Sequence, residues 1–170
     1  MEIAGPADPA TLDDATRQFA KVCPKLIGLA YSMLGSRAEA EEIVQEVWLR
    51  WRGVDRSGSR STTAFLMTMT IRLAIGCARS AQVRRETYVG PWLPEPVDTS
   101  LDPQVGTEQY ETLSFAVLSL MEELNPTERA AYILREASDF PYALVAAIVQ
   151  TSEGDARQLV RQAREHLKIG

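Results

Sequence analysis

Helical periodicity runs through almost the whole sequence, and no stretch alternates apolar and polar residues as a half-buried strand would. One cluster of prolines breaks it: Pro91, Pro94, Pro96 and Pro103 fall within thirteen residues. Each lacks an N–H and restricts the residue before it, so regular helix is excluded there. The expected fold is therefore all-α, with two small helical domains at residues 14–87 and 107–168 joined by a Pro-rich linker at 88–106. Tyr88, Trp92 and Leu93 make that linker apolar enough to pack in part against a domain.

In the first domain Phe19, Val22, Cys23, Leu26, Ile27, Ala30, Met33 and Leu34 recur at three-and-four spacing, and Gly35 ends the run. Ser36 and Glu39 form a capping box that opens a second helix ending near Trp51. Residues 53–61 are rich in Gly and Ser and read as a surface loop, after which a third helix extends from about Thr62 to Arg85. Beyond the prolines a helix is expected over 107–124. Asn125, Pro126 and Glu128 then supply a cap, a first-turn proline and a third-position acid for a helix reaching about Ser138. Phe140 and Pro141 introduce a short apolar helix over 142–149, Gln150 and Thr151 turn the chain, and Ser152 caps a last helix. Two helices joined so tightly predict a helix-turn-helix.

A net charge of −5 argues against nucleic-acid binding only if the charge is evenly spread. It is not: residues 1–46 carry a net −4, 47–90 a net +6, 91–155 a net −10 and 156–170 a net +3. The two basic blocks each fall within a predicted helix, the arrangement of a chain that meets phosphate in two places. In the last helix Arg157, Arg161, Arg164 and Lys168 recur at steps of four, three and four, within about 60° of one another. Ala156, Val160, Ala163 and Leu167 follow one residue out of phase and form an apolar back. A merely solvated helix would interleave Glu among the arginines, and here only Glu165 does so.

Other classes have little material. Cys23 and Cys77 lie too far apart for a metal-ligand pair and are too few for a secreted disulfide scaffold. The single histidine, His166, has no evident carboxylate or nucleophile partner, and neither a glycine-rich phosphate loop nor a nucleophile elbow occurs. No enzyme activity, metal or other cofactor is expected. No signal peptide and no apolar run of about 18–20 residues is found, so no membrane partner is expected and the chain is read as cytoplasmic.

From about Phe19 to Leu167 the order of these features resembles the extracytoplasmic-function (ECF) sigma factors of bacterial RNA polymerase. The residues that carry the resemblance are LAYSMLGS at 29–36 running into AEAEEIVQEVWLRW at 38–51, and YVGPWLPEP at 88–96. The third set is Asp139-Phe140-Pro141-Tyr142 followed by Arg157-Gln158-Leu159 and Ala163-Arg164. The linker resembles that of a subgroup usually followed by a ketosteroid-isomerase-like C-terminal domain. This sequence stops at Gly170, through cutting or natural shortness.

The resemblance implies a sigma factor that binds polymerase core and promoter DNA, with another sigma factor or an anti-sigma protein as a further partner. Glu42, Gln45, Glu46, Leu49 and Arg50 are the candidate polymerase-docking residues on one helix face. Arg72, Arg79, Arg84 and Arg85 are the candidate track for the minus-ten element, with Phe65 and Tyr88 as aromatics able either to stack on a base or to serve the core. Ser152, Arg157, Gln158, Arg161, Gln162, Arg164 and Lys168 are the candidate readers of the minus-thirty-five element. Within them Arg157, near the helix start, is expected to discriminate bases and Arg164 to anchor phosphate.

Several residues depart from the family pattern: Gly76 in mid-helix, Leu144 in place of a common Glu, Gln150 in place of a turn Gly, and Asp155 in the first turn of the recognition helix. Gln162 also replaces a common Arg. These departures keep open an alternative, a degenerate sigma-like protein that docks on polymerase or on another sigma factor without opening a promoter.

Overall fold

The computed structural model describes residues 9–54, 61–87 and 123–168, and every regular element among them is helical. In chain order these are α1 (Pro9–Leu34), α2 (Arg37–Trp51), α3 (Thr62–Thr87), α4 (Pro126–Tyr132), a π-helical turn (Ile133–Ala137), α5 (Tyr142–Val149) and α6 (Glu153–Lys168). The expectation of an all-α fold holds. The proline cluster, most of the 53–61 loop and nearly all of the helix expected over 107–124 lie outside the described residues.

The caps read from sequence are in place. Gly35 ends α1 with φ at 68°, the left-handed conformation that costs glycine least. Ser36 Oγ accepts from the Glu39 amide at 3.3 Å, Asn125 Oδ1 from the Glu128 amide at 2.9 Å, and Ser152 Oγ from the Asp155 amide at 3.1 Å. Two departures are local. α1 begins at Pro9 and accommodates Pro24 within its length, which removes the helical donor to the Ala20 carbonyl. The helix expected to run from Pro126 to Ser138 becomes a π-turn after Tyr132, where the Ser138 amide reaches the Ile133 carbonyl five residues back at 3.3 Å.

α1, α2 and α3 pack around Leu26, Leu29, Met33, Val47, Trp51, Leu66, Met67 and Ile71, all fully buried. Trp51 ties two of these helices together, its indole N–H donating to the Ala15 carbonyl at 3.2 Å. In the second half Leu134, Val145, Ile148, Ala156 and Val160 bury the apolar faces of the π-turn, α5 and α6. The two sets form one continuous apolar cluster, because α3 packs on α4 and α5.

Arginines fasten that junction from both sides. Arg72 of α3 donates to the carbonyls of Ala147 and Ile148 at 2.9 and 3.1 Å, at the carbonyl end of α5. Arg129 of α4 reaches back to the Met33 carbonyl at the end of α1. Both place a cation where a helix leaves its last carbonyls unpaired and its dipole is negative. Arg79 adds a bond to the Thr127 hydroxyl at 2.9 Å.

Candidate nucleic-acid interface

The docking face expected on α2 is presented as one surface. Ala40, Val44, Val47 and Trp51 turn inward, which leaves Glu42, Gln45, Leu49 and Arg50 exposed and Glu46 half-buried. Leu49 is 44% exposed, a large apolar side chain in a polar surround. Glu46 and Arg50 pair with each other at 2.9 Å, so this face carries its own ion pair.

An open cleft of about 380 Å³ separates the end of α2 from α3, lined by Arg50, Phe65, Thr68, Met69, Arg72 and Leu73. Phe65 packs on the core and remains partly open to solvent: its ring lies 5.7 Å from that of Trp51, and the residue is 39% exposed. Of the four arginines expected along α3, Arg72 and Arg79 bond the C-terminal half as described, and Arg84 is exposed. The side chain of Arg85 lies outside the described residues, as does Tyr88.

The α6 stripe forms as its periodicity predicts. Ala156, Val160 and Ala163 are buried, Leu167 is half-buried, and Arg157, Gln158, Arg161 and Arg164 are exposed, with Gln162 half-buried. The Lys168 side chain lies outside the described residues.

The stripe is more paired than its sequence suggests, because its acids come from elsewhere. Glu153 holds Arg157 at 2.8 Å from one turn earlier, and Glu136 of the π-turn bonds Arg164, holding that guanidinium more firmly in its charged form. Among the described residues Arg161 has no ion-pair or hydrogen-bond partner. Asp155 accepts from the Thr151 hydroxyl at 3.3 Å, a local capping role.

His166 does have a carboxylate partner, contrary to expectation. Its Nδ1 lies 3.2 Å from Oε2 of Glu128, a largely buried residue whose other oxygen bonds Asn125. The pairing joins α6 to the start of α4 and is structural in form. Among the described residues no group of three His, Cys, Asp or Glu side chains is placed to hold a metal, and no helix is long and apolar enough to cross a membrane.

Comparison with known proteins decides the family. Residues 19–84 match Sigma-70 region 2, and residues 114–167 match Sigma-70 region 4. The ECF RNA polymerase sigma factor SigJ of Mycobacterium tuberculosis is 42% identical over 151 residues. The chain belongs to the ECF sigma-factor family.

That alignment covers 87% of the chain and 48% of SigJ. The probable ECF sigma factor SigI of the same species is 28% identical over 145 residues, 84% of the chain and 50% of SigI. The chain thus spans about half the length of these curated relatives. The crystal structure of M. tuberculosis SigJ superposes with a TM-score of 0.71 at 36% identity, over 89% of this chain and 52% of that one. The sigma factor RpoE of Bartonella quintana, crystallised with the anti-sigma factor NepR, shares the fold, with a TM-score of 0.61 and 24% identity over 91% and 94% of the two chains.

In this ECF sigma factor, region 2 comprises α2, most of α1 and most of α3, and region 4 contains α4 to α6. Sequence reasoning passed over Glu136 and Glu153, which pair with Arg164 and Arg157, and named Tyr142 only for the resemblance, although its ring lies under the Arg157 guanidinium. Glu153 was legible as an acid four residues before Arg157. Glu136 was not, being 28 residues from its partner.

Proposed function

We propose that this chain directs bacterial RNA polymerase core to promoters for transcription initiation, with no catalytic chemistry of its own, in the cytoplasm. Under this reading residues 14–87 form the unit that docks on core and meets the minus-ten element, 88–106 the linker, and 107–168 the unit that reads the minus-thirty-five element. The face of Glu42, Gln45, Glu46, Leu49 and Arg50 takes the polymerase, and Arg72, Arg79, Arg84 and Arg85 track minus-ten DNA. Ser152, Arg157, Gln158, Arg161, Gln162, Arg164 and Lys168 meet the upstream element. The cleft beside Phe65 offers a base parted from its stack an aromatic face flanked by Arg50 and Arg72. For Arg72 and Arg79 to contact DNA, their bonds to α5 and to Thr127 must be exchanged for phosphate. The linker residues 88–96 further support membership of the subgroup with a ketosteroid-isomerase-like domain.

The observation that carries this reading is the α6 stripe, solvent-facing on an apolar back inside a matched region 4, in the same chain as a matched region 2. The departures from the family pattern are absorbed locally. Gln150 adopts the left-handed turn at φ 62°, Leu144 packs half-buried against the core, Gly76 remains helical, and Asp155 bonds Thr151. The test is to combine the chain with bacterial core polymerase and select duplexes from a randomised library. Enrichment of a two-part motif is expected, and binding to core without any enriched motif would refute the reading.

A further inference from the structure

Tyr142, the first residue of α5, carries two guanidinium groups on its ring. The Cζ of Arg135 lies 4.4 Å from the ring centroid and the Cζ of Arg157 lies 4.5 Å from it. Arg135 is fixed independently, donating from Nη1 to the Phe140 carbonyl at 3.0 Å. Among the described residues Arg157 is otherwise held only by Glu153, in an exposed ion pair of the kind that restrains a side chain weakly.

A guanidinium over an aromatic ring can serve both contacts with different parts of the group. Stacking on an aromatic ring engages the flat face, and all five N–H donors lie in the plane and point away from the contact. Glu153 takes one of those in-plane nitrogens, which a base edge or a phosphate can take in its place. A stacked arginine is therefore restrained without losing the fork that recognises a guanine bidentately.

We propose that Tyr142 is a positioning residue for sequence recognition: its ring holds the Arg157 guanidinium in a fixed plane, so that this arginine meets a base pair already oriented. The proposal rests on the reading of α6 as the DNA-reading helix. Arg135, locked onto the Phe140 carbonyl, steadies the same ring and links the π-turn to the recognition helix.

The test uses the full chain in complex with bacterial core polymerase, on the duplex enriched from a randomised library and on its single-base variants. Tyr142→Phe keeps the ring and should keep the wild-type ratio of matched to mismatched affinity. Tyr142→Leu should lower that ratio at one base pair by about two- to fivefold, the range an exposed cation–π contact supports. Pentafluorophenylalanine at position 142, which keeps the ring's shape and reverses its quadrupole, should do the same relative to Tyr142→Phe, and it serves where leucine disturbs folding. In an Arg157→Ala background neither change should have any further effect. Retention of the ratio by both altered rings, or an equal loss in the Arg157→Ala background, would overturn the proposal. If Arg157→Ala itself leaves every ratio unchanged, the reading of α6 falls as well, an outcome distinct from failure at Tyr142 alone.

Discussion

The Arg129 guanidinium, in a residue only 5% exposed, donates to the main-chain carbonyl of Met33, joining α4 of region 4 to the last turn of α1. Its other amino group donates to the Leu124 carbonyl at 3.1 Å. Arg72 makes the reverse connection, from region 2 to the carbonyl end of α5. Each half thus ends a helix of the other, and the two regions share one packed junction.

Removing Arg129 leaves buried carbonyls without their charged donor. Arg129→Ala should lower unfolding free energy by about 2–4 kcal/mol in urea titrations, because breaking buried charge-assisted hydrogen bonds costs that much. A change below about 0.5 kcal/mol would show the clasp to be dispensable.

Two glycine-related positions should yield stability in opposite chemical directions. Gly76 lies in α3, and a Cβ there meets nothing within 4 Å, so Gly76→Ala should stabilise by about 0.5–1 kcal/mol. Gln150 holds φ at 62° and ψ at 51°, and Gln150→Gly should stabilise by about 1 kcal/mol by removing the Cβ strain. Thermal melts of the two variants check both; a lowered midpoint in either contradicts the backbone account.

On α2, Gln45 and Leu49 are one turn apart and exposed on the face away from the core. Gln45→Ala combined with Leu49→Ala should weaken capture of core polymerase while leaving the melting midpoint within about a degree or two, as for surface changes within 0.5 kcal/mol. Unchanged capture would move the docking face elsewhere.

The arginines of α6 should differ in salt dependence according to whether another described residue already pairs them. Arg161 can neutralise a phosphate directly, so Arg161→Ala should reduce the slope of log affinity against log salt by about 0.9. Arg164 must first give up Glu136, and Arg164→Ala should reduce it by less. Glu136→Gln should raise the slope by freeing that charge. Equal slopes for all three variants and the wild type would remove α6 from the DNA contact.

What the sequence disclosed follows from range. The α6 stripe, the Asn125 and Ser152 caps and the Gly35 terminus were legible because each is set within one or two helical turns. The bonds Arg129 to Met33, Arg72 to Ile148 and His166 to Glu128 join residues 96, 76 and 38 apart, and no local pattern encodes them. The π-turn was equally hidden, since its extra residue leaves the apolar spacing of Ile133 and Leu134 compatible with an ordinary helix. For the candidate site, residue types and faces were readable, but not which arginines the protein itself already engages.

Run-off transcription tests the central claim most directly. Core polymerase, this chain and a template carrying the selected two-part motif should together yield a transcript of defined length, absent without the chain and lost when either half of the motif is scrambled. Failure to initiate from any selected promoter, despite stable binding to core, would contradict the assignment of sigma activity.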